Sequence, residues 1–142
     1  MAKAPILPDD PAMRCEALKL ADRIAPFYRL LGMKVDEVKE GYAKLSMPFR
    51  EDLTQPLGMM HGGALASLAD SAVAIALLTV SGPKSKVVTV ELKINYFEPV
   101  RDGILVAECR VVFKGSKIAY GEVDLRESGR LVARATSTYM IS

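Results

Sequence analysis

The sequence predicts an α+β fold in which an antiparallel β-sheet wraps around one long central helix. Between Leu53 and Lys84 the only charged residue is Asp70, and this apolar stretch has the length of a long helix. Downstream of it, the hydrophobic period changes from the helical value to two, which is typical of strands. An apolar helix must be covered on most of its sides, and a sheet that curls around it provides that cover.

Composition indicates a single soluble domain. The 142 residues suffice for one core, and half are hydrophobic while a quarter are charged. A formal net charge of +2 is too small to indicate a nucleic-acid partner. Two cysteines without a C-x-x-C pair, together with a single histidine, predict neither a metal site nor a disulfide framework. The N-terminal stretch MAKAPILPDDP has no apolar signal core, so a cytoplasmic location is expected.

The first part of the chain is predicted to contain a helix and a strand hairpin. Apolar residues recur at helical spacing over Pro11–Arg23, which predicts an outer helix. Two strands follow, Met33–Lys39 and Tyr42–Pro48, joined by a tight turn. Proline and glycine then predict a loop over Arg50–Gly58.

The central helix is predicted from about His61 to Val80, where a Ser-Gly-Pro sequence ends it. Apolar residues at even positions from Val88 to Tyr96 then alternate with polar ones, which predicts a half-buried strand. Three more strands are predicted, with K-G-S-K and E-S-G-R as turns: Ile104–Lys114, Lys117–Arg126 and Arg130–Ile141. The expected order is a strand pair, one helix and a four-strand meander, which is the hotdog architecture.

A transmembrane helix is the alternative for Gly62–Val80, which is nearly long enough to span a bilayer. Asp70 lies at its centre, and a charge in the middle of a membrane is costly without a partner. We therefore expect a helix buried inside a soluble sheet and no membrane partner.

The helix has two unequal faces at 100° per residue. Small residues surround Asp70, so its carboxylate is predicted to face a gap rather than packed leucines. A carboxylate in so apolar a helix is costly, which favours a function, although pairing with a hydroxyl or a lysine is the structural alternative. The large-residue face comprises Leu65, Leu68, Ala72, Ile75 and Thr79, and the small-residue face Gly63, Ala66, Ser67, Asp70 and Ala74.

The helix start is predicted to bind an oxyanion or a polarised carbonyl oxygen. Its first N–H groups lack intrahelical partners, and Gly62 and Gly63 leave them accessible. Gln55 can add an amide donor, and His61 is expected to be a capping residue rather than a base. Gly62 and Asp70 are about 12 Å apart along the helix, too far to serve one carbonyl. If both are catalytic, the enzyme is at least a dimer with shared sites.

The motif Q-x-x-G-x-x-H-G-G-x-x-x-x-L-A-D from Gln55 to Asp70, with V-T-V-E-L-K-I-N-Y-F-E-P downstream, resembles hotdog acyl-CoA thioesterases of the PaaI/4HBT type. The likeness covers residues 32–142 as a thioesterase domain and leaves 1–31 as an N-terminal helical extension. It implies that Gly62 donates its N–H to the thioester carbonyl, while Asp70 of the partner subunit is nucleophile or general base. Gln55 matches one branch of this family and Asp70 matches another, so the sequence combines residues of two branches. Thr89 matches a residue that orients water or the acid. Alternation places Thr89 on the polar face of its strand, so this role requires a bulge or an interface position.

The resemblance further implies an acyl-CoA substrate, medium-chain or aryl, cleaved to free acid and CoA. No cofactor is expected, because coenzyme A belongs to the substrate, and the partners expected are a homodimer and a dimer of dimers. The alternatives are a non-catalytic acyl-CoA-binding hotdog protein and, less favoured, a hydratase. The nucleotide of CoA is expected to bind at a basic hairpin, and the alternative is that the hairpin lysines are simply solvated. The acyl group is expected to bind between subunits. The binding residues are Lys114, Gly115, Ser116 and Lys117 for the nucleotide (Arg101, Lys84 and Lys86 being weaker candidates), Gly63 at the helix start, and Met59, Met60, Val73 and Leu77 for the acyl pocket.

Overall fold

The computed structural model describes residues 25–82 and 85–142. The expected helix over Pro11–Arg23 and the candidate Lys84 lie outside these ranges. In chain order the elements are α1 (Pro26–Leu31), β1 (Lys34–Lys39), β2 (Tyr42–Pro48), a 3-10 turn (Glu51–Leu53), α2 (Gly62–Ser81), β3 (Val87–Tyr96), β4 (Ile104–Lys114), β5 (Ile118–Glu127) and β6 (Arg130–Ile141).

The six strands form one antiparallel sheet in the order β1-β2-β4-β5-β6-β3, and α2 packs against all six. The α+β hotdog prediction is therefore confirmed, and the strand and helix bounds differ from the expected ones by at most about two residues. The inner face of β6 carries Ala133 and Ala135, whose small side chains let the helix lie close to the sheet.

The prediction of a four-strand meander is wrong for β3. The strands β4, β5 and β6 are consecutive neighbours, but β3 pairs with β6 at the sheet edge and β4 pairs with β2. The connection from Phe97 to Gly103 is too long for a tight hairpin, so nothing forces β3 and β4 to pair. This topology leaves β3 with one unpaired edge beside the helix.

The large-residue face of α2 is buried as predicted, and its five residues are among the 11 buried ones of this 20-residue helix. Within the described chain, one helix, α2, has the length and the apolar composition needed to cross a membrane. The sheet covers it instead, with Leu68 and Ala72 having no exposed surface. A helix buried on so many sides is explained by the core that it fills.

A β-bulge in β3 changes which residues face the helix. The register with β6 shifts between Thr89 and Glu91. The predicted burial of Val88 and Val90 is wrong, since they are 55% and 61% exposed, because simple alternation does not allow for the extra residue. Thr89 instead points towards α2, so the condition that its role requires a bulge is met.

Candidate active site

The Asp70 carboxylate is held on one oxygen and open on the other. Thr89 Oγ1 donates to Asp70 Oδ1 at 2.7 Å. The Tyr139 hydroxyl lies 2.7 Å from the same Oδ1 and also 2.7 Å from the Asp70 main-chain carbonyl oxygen. No hydrogen bond reaches Oδ2 from the described part of the chain, and Asp70 is partly exposed. The pairing with hydroxyls that was the structural alternative is present, but it occupies only Oδ1.

Tyr139 is a site residue that the sequence reasoning missed. It lies on β6 directly opposite Thr89 on β3 and Ala119 on β5. The signal that could have found it is the alternation along β6, which places Ala135, Ser137 and Tyr139 on the inner face. A large polar aromatic among small inward residues at the end of that strand indicates a specific contact with the helix.

Burial keeps the Tyr139 hydroxyl a hydrogen-bond donor. Desolvation raises the pKa of this phenol far above its ordinary value, and the negative charge of Asp70 raises it further. A hydrogen bond with Thr89 opposes this shift but does not cancel it. Tyr139 therefore stays protonated at neutral pH and can donate to the carboxylate.

The start of α2 leaves one backbone N–H without an acceptor among the described residues. His61 is the N-cap residue, as expected, and its Nδ1 accepts the N–H of Gly63 at 2.8 Å. This bond requires an unprotonated Nδ1, so His61 acts in the structure as a cap. The N–H of Gly63 is thereby occupied, whereas no acceptor for the Gly62 N–H is found among residues 25–82 and 85–142. Of the two predicted glycines, Gly62 is the one that can bind an oxyanion.

A cavity of about 310 Å³ opens beside Gly62. Gln55, Met59 and Met60 line it, so the structure brings these predicted residues together at the helix start. The side-chain oxygen of Gln55 accepts the N–H of Leu57, which leaves its NH₂ group to donate. The remaining wall is the segment that follows β3, namely Phe97, Glu98, Pro99 and Val100, with Tyr96 and Leu65.

Tyr96 adjoins Gly62 directly. Its hydroxyl donates to the Gly62 carbonyl oxygen at 2.7 Å, and its ring lies 3.1 Å from where a Cβ on residue 62 would be. Alternation along β3 predicts Tyr96 on the buried face of its strand, but the residue is 50% exposed and borders the cavity. Partial desolvation of the phenol raises the pKa of Tyr96 above its ordinary value. Glycine at position 62 is therefore explained by the close approach of this ring.

Val73 and Leu77 do not join this cavity. Both are fully buried, and a Cβ on Gly121 would come within 3.1 Å of Val73 Cγ1. They pack between helix and sheet, because this side of α2 faces the strands. Within the described chain, only Met59 and Met60 of the four expected acyl-pocket residues line the cavity at the helix start.

The basic hairpin lies at the Asp70 end of the sheet. The residues from Lys114 to Lys117 join β4 to β5, and the Gly115 N–H donates to the carbonyl of Ile118 at 2.8 Å. The next residue, Ala119, pairs with Tyr139, which holds Asp70. Of the hairpin residues, Lys114, Ser116 and Lys117 are exposed, as are the weaker candidates Lys86 and Arg101.

Among the described residues, Asp70 thus has one carboxylate oxygen without a hydrogen-bond partner, and Gly62 has an N–H without an acceptor. The described residues contain no group of three or more His, Cys, Asp or Glu side chains that could hold a metal ion.

Residues 57–133 match the family model of the thioesterase superfamily, 4HBT. The chain belongs to the thioesterase superfamily. It is a thioester hydrolase with a hotdog fold.

Relatives of this thioesterase agree with the assignment. It is 34% identical over 135 residues to a putative esterase, SSO2140, of Saccharolobus solfataricus, covering 94% of each chain. It is 27% identical over 151 residues to the medium/long-chain acyl-CoA thioesterase YigI of Salmonella typhimurium, covering 89% of this chain and 94% of that one. A solved mutant of the phenylacetic acid degradation protein PaaI from Thermus thermophilus superposes with a TM-score of 0.76. That structure is 32% identical, with 82% of this chain and 98% of that chain covered.

Proposed function

We propose that this thioesterase hydrolyses a medium-chain or aryl acyl-CoA to the free acid and CoA. The observation that carries the proposal is the Asp70 carboxylate, held through Oδ1 by two hydroxyls and unpaired at Oδ2 within the described chain. A carboxylate held in this way is suited to attack a carbonyl carbon or to take a proton from water. The similarity to YigI and to PaaI supports the choice of substrate class.

The two halves of the proposed site come from different subunits. Gly62 and Asp70 of one chain are about 12 Å apart along α2, whereas reacting groups must lie within about 3.5 Å. A thioester carbonyl at Gly62 is therefore out of reach of the carboxylate in the same chain. The N–H of Gly62 then serves Asp70 of the partner subunit.

The position of β3 supports a site that is shared between two subunits. Thr89, near the start of the strand, bonds Asp70. Tyr96, at its end, bonds Gly62. The strand is at the sheet edge, and its exposed Val90 leaves room for a neighbour. Two copies of β3 that pair antiparallel about a two-fold axis bring the end of one strand beside the start of the other.

The chemistry follows from these groups. The Gly62 N–H stabilises the negative charge that develops on the thioester oxygen. On one route, Asp70 attacks the carbonyl carbon, the CoA thiolate leaves and takes up a proton, and water cleaves the resulting mixed anhydride. On the other route, Asp70 takes a proton from a water molecule that attacks the carbonyl carbon directly, the C–S bond breaks, and the leaving CoA thiolate takes that proton from Asp70. Both routes return the carboxylate and release free acid and CoA.

The hairpin from Lys114 to Lys117 is proposed to bind the CoA phosphates. It carries two exposed lysines and lies at the sheet end where Asp70 is held. Charged side chains there attract the anionic nucleotide, while the thioester extends towards the Asp70 carboxylate. Acyl-N-acetylcysteamine substrates, which lack phosphates, provide the comparison in an activity screen over acyl groups.

Replacing Asp70 by asparagine tests the proposed function. The Asp70→Asn variant keeps the shape and loses the charge, so we expect thiol release from acyl-CoA to fall by at least about a hundredfold. Asp36→Asn, on the exposed side of β1, is the matched control and keeps full activity. Wild-type turnover by Asp70→Asn would refute the catalytic role, and no turnover by the wild type on any thioester would favour the acyl-CoA-binding alternative.

Mixed subunits test the shared site. Gly62→Val, which is bulkier than Gly62→Ala, and Asp70→Asn should each have strongly reduced activity alone, and together they restore up to one intact site in each heterodimer when the subunits exchange. Activity should therefore return on mixing, and isotope-labelled subunits in native mass spectrometry verify the exchange. Verified exchange without any recovered activity would place both groups in one chain.

A further inference from the structure

We propose that Tyr139 is a positioning residue, which orients the Asp70 carboxylate so that Oδ2 faces the substrate. The inference rests on the proposed function of Asp70 and adds a residue that does not itself touch the substrate. Three features of the described chain carry it: the two contacts of the hydroxyl, the burial of the ring, and the place of β6 in the sheet.

The Tyr139 hydroxyl contacts the main chain and the side chain of the same residue. It lies 2.7 Å from the Asp70 carbonyl oxygen and 2.7 Å from Asp70 Oδ1. The carbonyl is fixed by the helix. A hydroxyl that contacts both groups therefore holds the carboxylate in a defined position relative to the backbone of α2. It restricts both side-chain torsions of Asp70, which would otherwise carry Oδ2 away from the cleft.

The ring itself is rigidly held. Tyr139 is 2% exposed, and its strand neighbours are Thr89 on one side and Ala119 on the other. The strand β6 is paired along both edges, unlike β3. An aromatic ring packed in this way positions its hydroxyl with little freedom, which is what an orienting group requires.

Thr89 is the second donor, and its contribution differs. It stands beside a bulge on the edge strand β3, where the ladder with β6 is interrupted. Its hydroxyl reaches Oδ1 but not the carbonyl of Asp70. Thr89 therefore completes the solvation of Oδ1, whereas Tyr139 also sets the direction of the side chain.

Tyr139→Phe removes the hydroxyl and keeps the ring, so the core packing is preserved. Loss of one hydrogen bond to a charged group leads us to expect a roughly tenfold lower kcat, counted per folded active site. The KM is expected to change less than about twofold, because Tyr139 does not contact the substrate. Binding of a non-hydrolysable acyl-CoA analogue counts the folded sites, so a partly unfolded preparation does not imitate the effect.

Tyr42→Phe is the matched control. Its hydroxyl donates to Glu108 at 2.9 Å, away from Asp70, so kcat should stay at the wild-type value. In the Asp70→Asn background, Tyr139→Phe should have no further effect on residual turnover, because the carboxylate it orients is absent. Thr89→Val should lose part of the activity, because Oδ1 then keeps only one of its two hydroxyl partners.

An unchanged kcat in Tyr139→Phe, or a change in KM alone, would overturn the inference while leaving the role of Asp70 intact. An equal loss of kcat in the presence and absence of the Asp70 carboxylate would also overturn it, since the tyrosine would then act elsewhere. Failure of the proposed function itself has a different signature, namely full turnover by Asp70→Asn.

Discussion

Two tyrosine hydroxyls meet α2 at the two places where chemistry is proposed. Tyr96 donates to the Gly62 carbonyl at the helix start, and Tyr139 donates to Asp70 two turns further on. Desolvation, partial at Tyr96 and nearly complete at Tyr139, raises the pKa of each phenol, so both remain donors at neutral pH. At the scale of single residues, the sheet thus contacts the helix at each proposed half-site through a tyrosine hydroxyl, joined at Asp70 by the hydroxyl of Thr89.

Gly62→Ala tests the close approach of Tyr96. A Cβ at this position would lie 3.1 Å from the ring and the hydroxyl of Tyr96, so the ring must move. We expect about tenfold lower activity, because the cavity and the helix start shift together. In a double-mutant cycle, Tyr96→Ala should recover part of the loss, since it removes the obstructing atoms. Additive losses would show that the methyl group blocks the substrate instead.

Cys109 provides a pH prediction. Burial raises the pKa of this fully buried thiol from 9.0 to about 12. The unfolded chain therefore ionises first as the pH rises, and the contribution of Cys109 to the free energy of unfolding is full below about pH 9 and declines towards pH 12.

Denaturant titrations from pH 8 to 11 measure this decline in a Cys15→Ser background, and Cys109→Ala should lack that part of the pH dependence. At pH 8 the folded protein should react with iodoacetamide far more slowly than the unfolded chain. Equal labelling rates for both states would contradict the burial of the thiol.

At the scale of elements, the sequence predicts the central helix and the locations of all six strands but not how β3 is used. The period-two pattern of β3 is real, but one extra residue at the bulge reverses it, so Val88 and Val90 are exposed while Thr89 faces α2. Alternation has no signal for a bulge, because the cost of an interrupted ladder depends on the neighbouring strand. Partner strands that are distant in sequence are likewise invisible to local patterns.

Val90→Lys tests whether β3 is a self-association edge. A lysine on an edge strand opposes pairing with another strand, so we expect the variant to sediment as a monomer and to lose thioesterase activity. Val112→Lys is the control, since Val112 is 57% exposed on the interior strand β4 against 61% for Val90. An active Val90→Lys monomer would contradict the shared site.

At the scale of the whole molecule, the candidate site was predicted better for the helix than for the sheet. Gly62, His61 and Asp70 follow from the motif and from the physics of helix ends. Tyr139 comes from a strand 69 residues away and enters the site only through the strand order of the sheet. Val73 and Leu77, which the resemblance assigned to the acyl pocket, are fully buried between the helix and the sheet in the described chain.

The cover of α2 also dictates an order of events during synthesis. The helix leaves the ribosome after β1 and β2 but before β3 to β6, and β6 is inserted between β5 and β3. Until β6 is made, a nascent chain therefore exposes a 20-residue apolar segment that no complete sheet can enclose. Emergence of β6 is thus the step at which the sheet can close over the apolar helix.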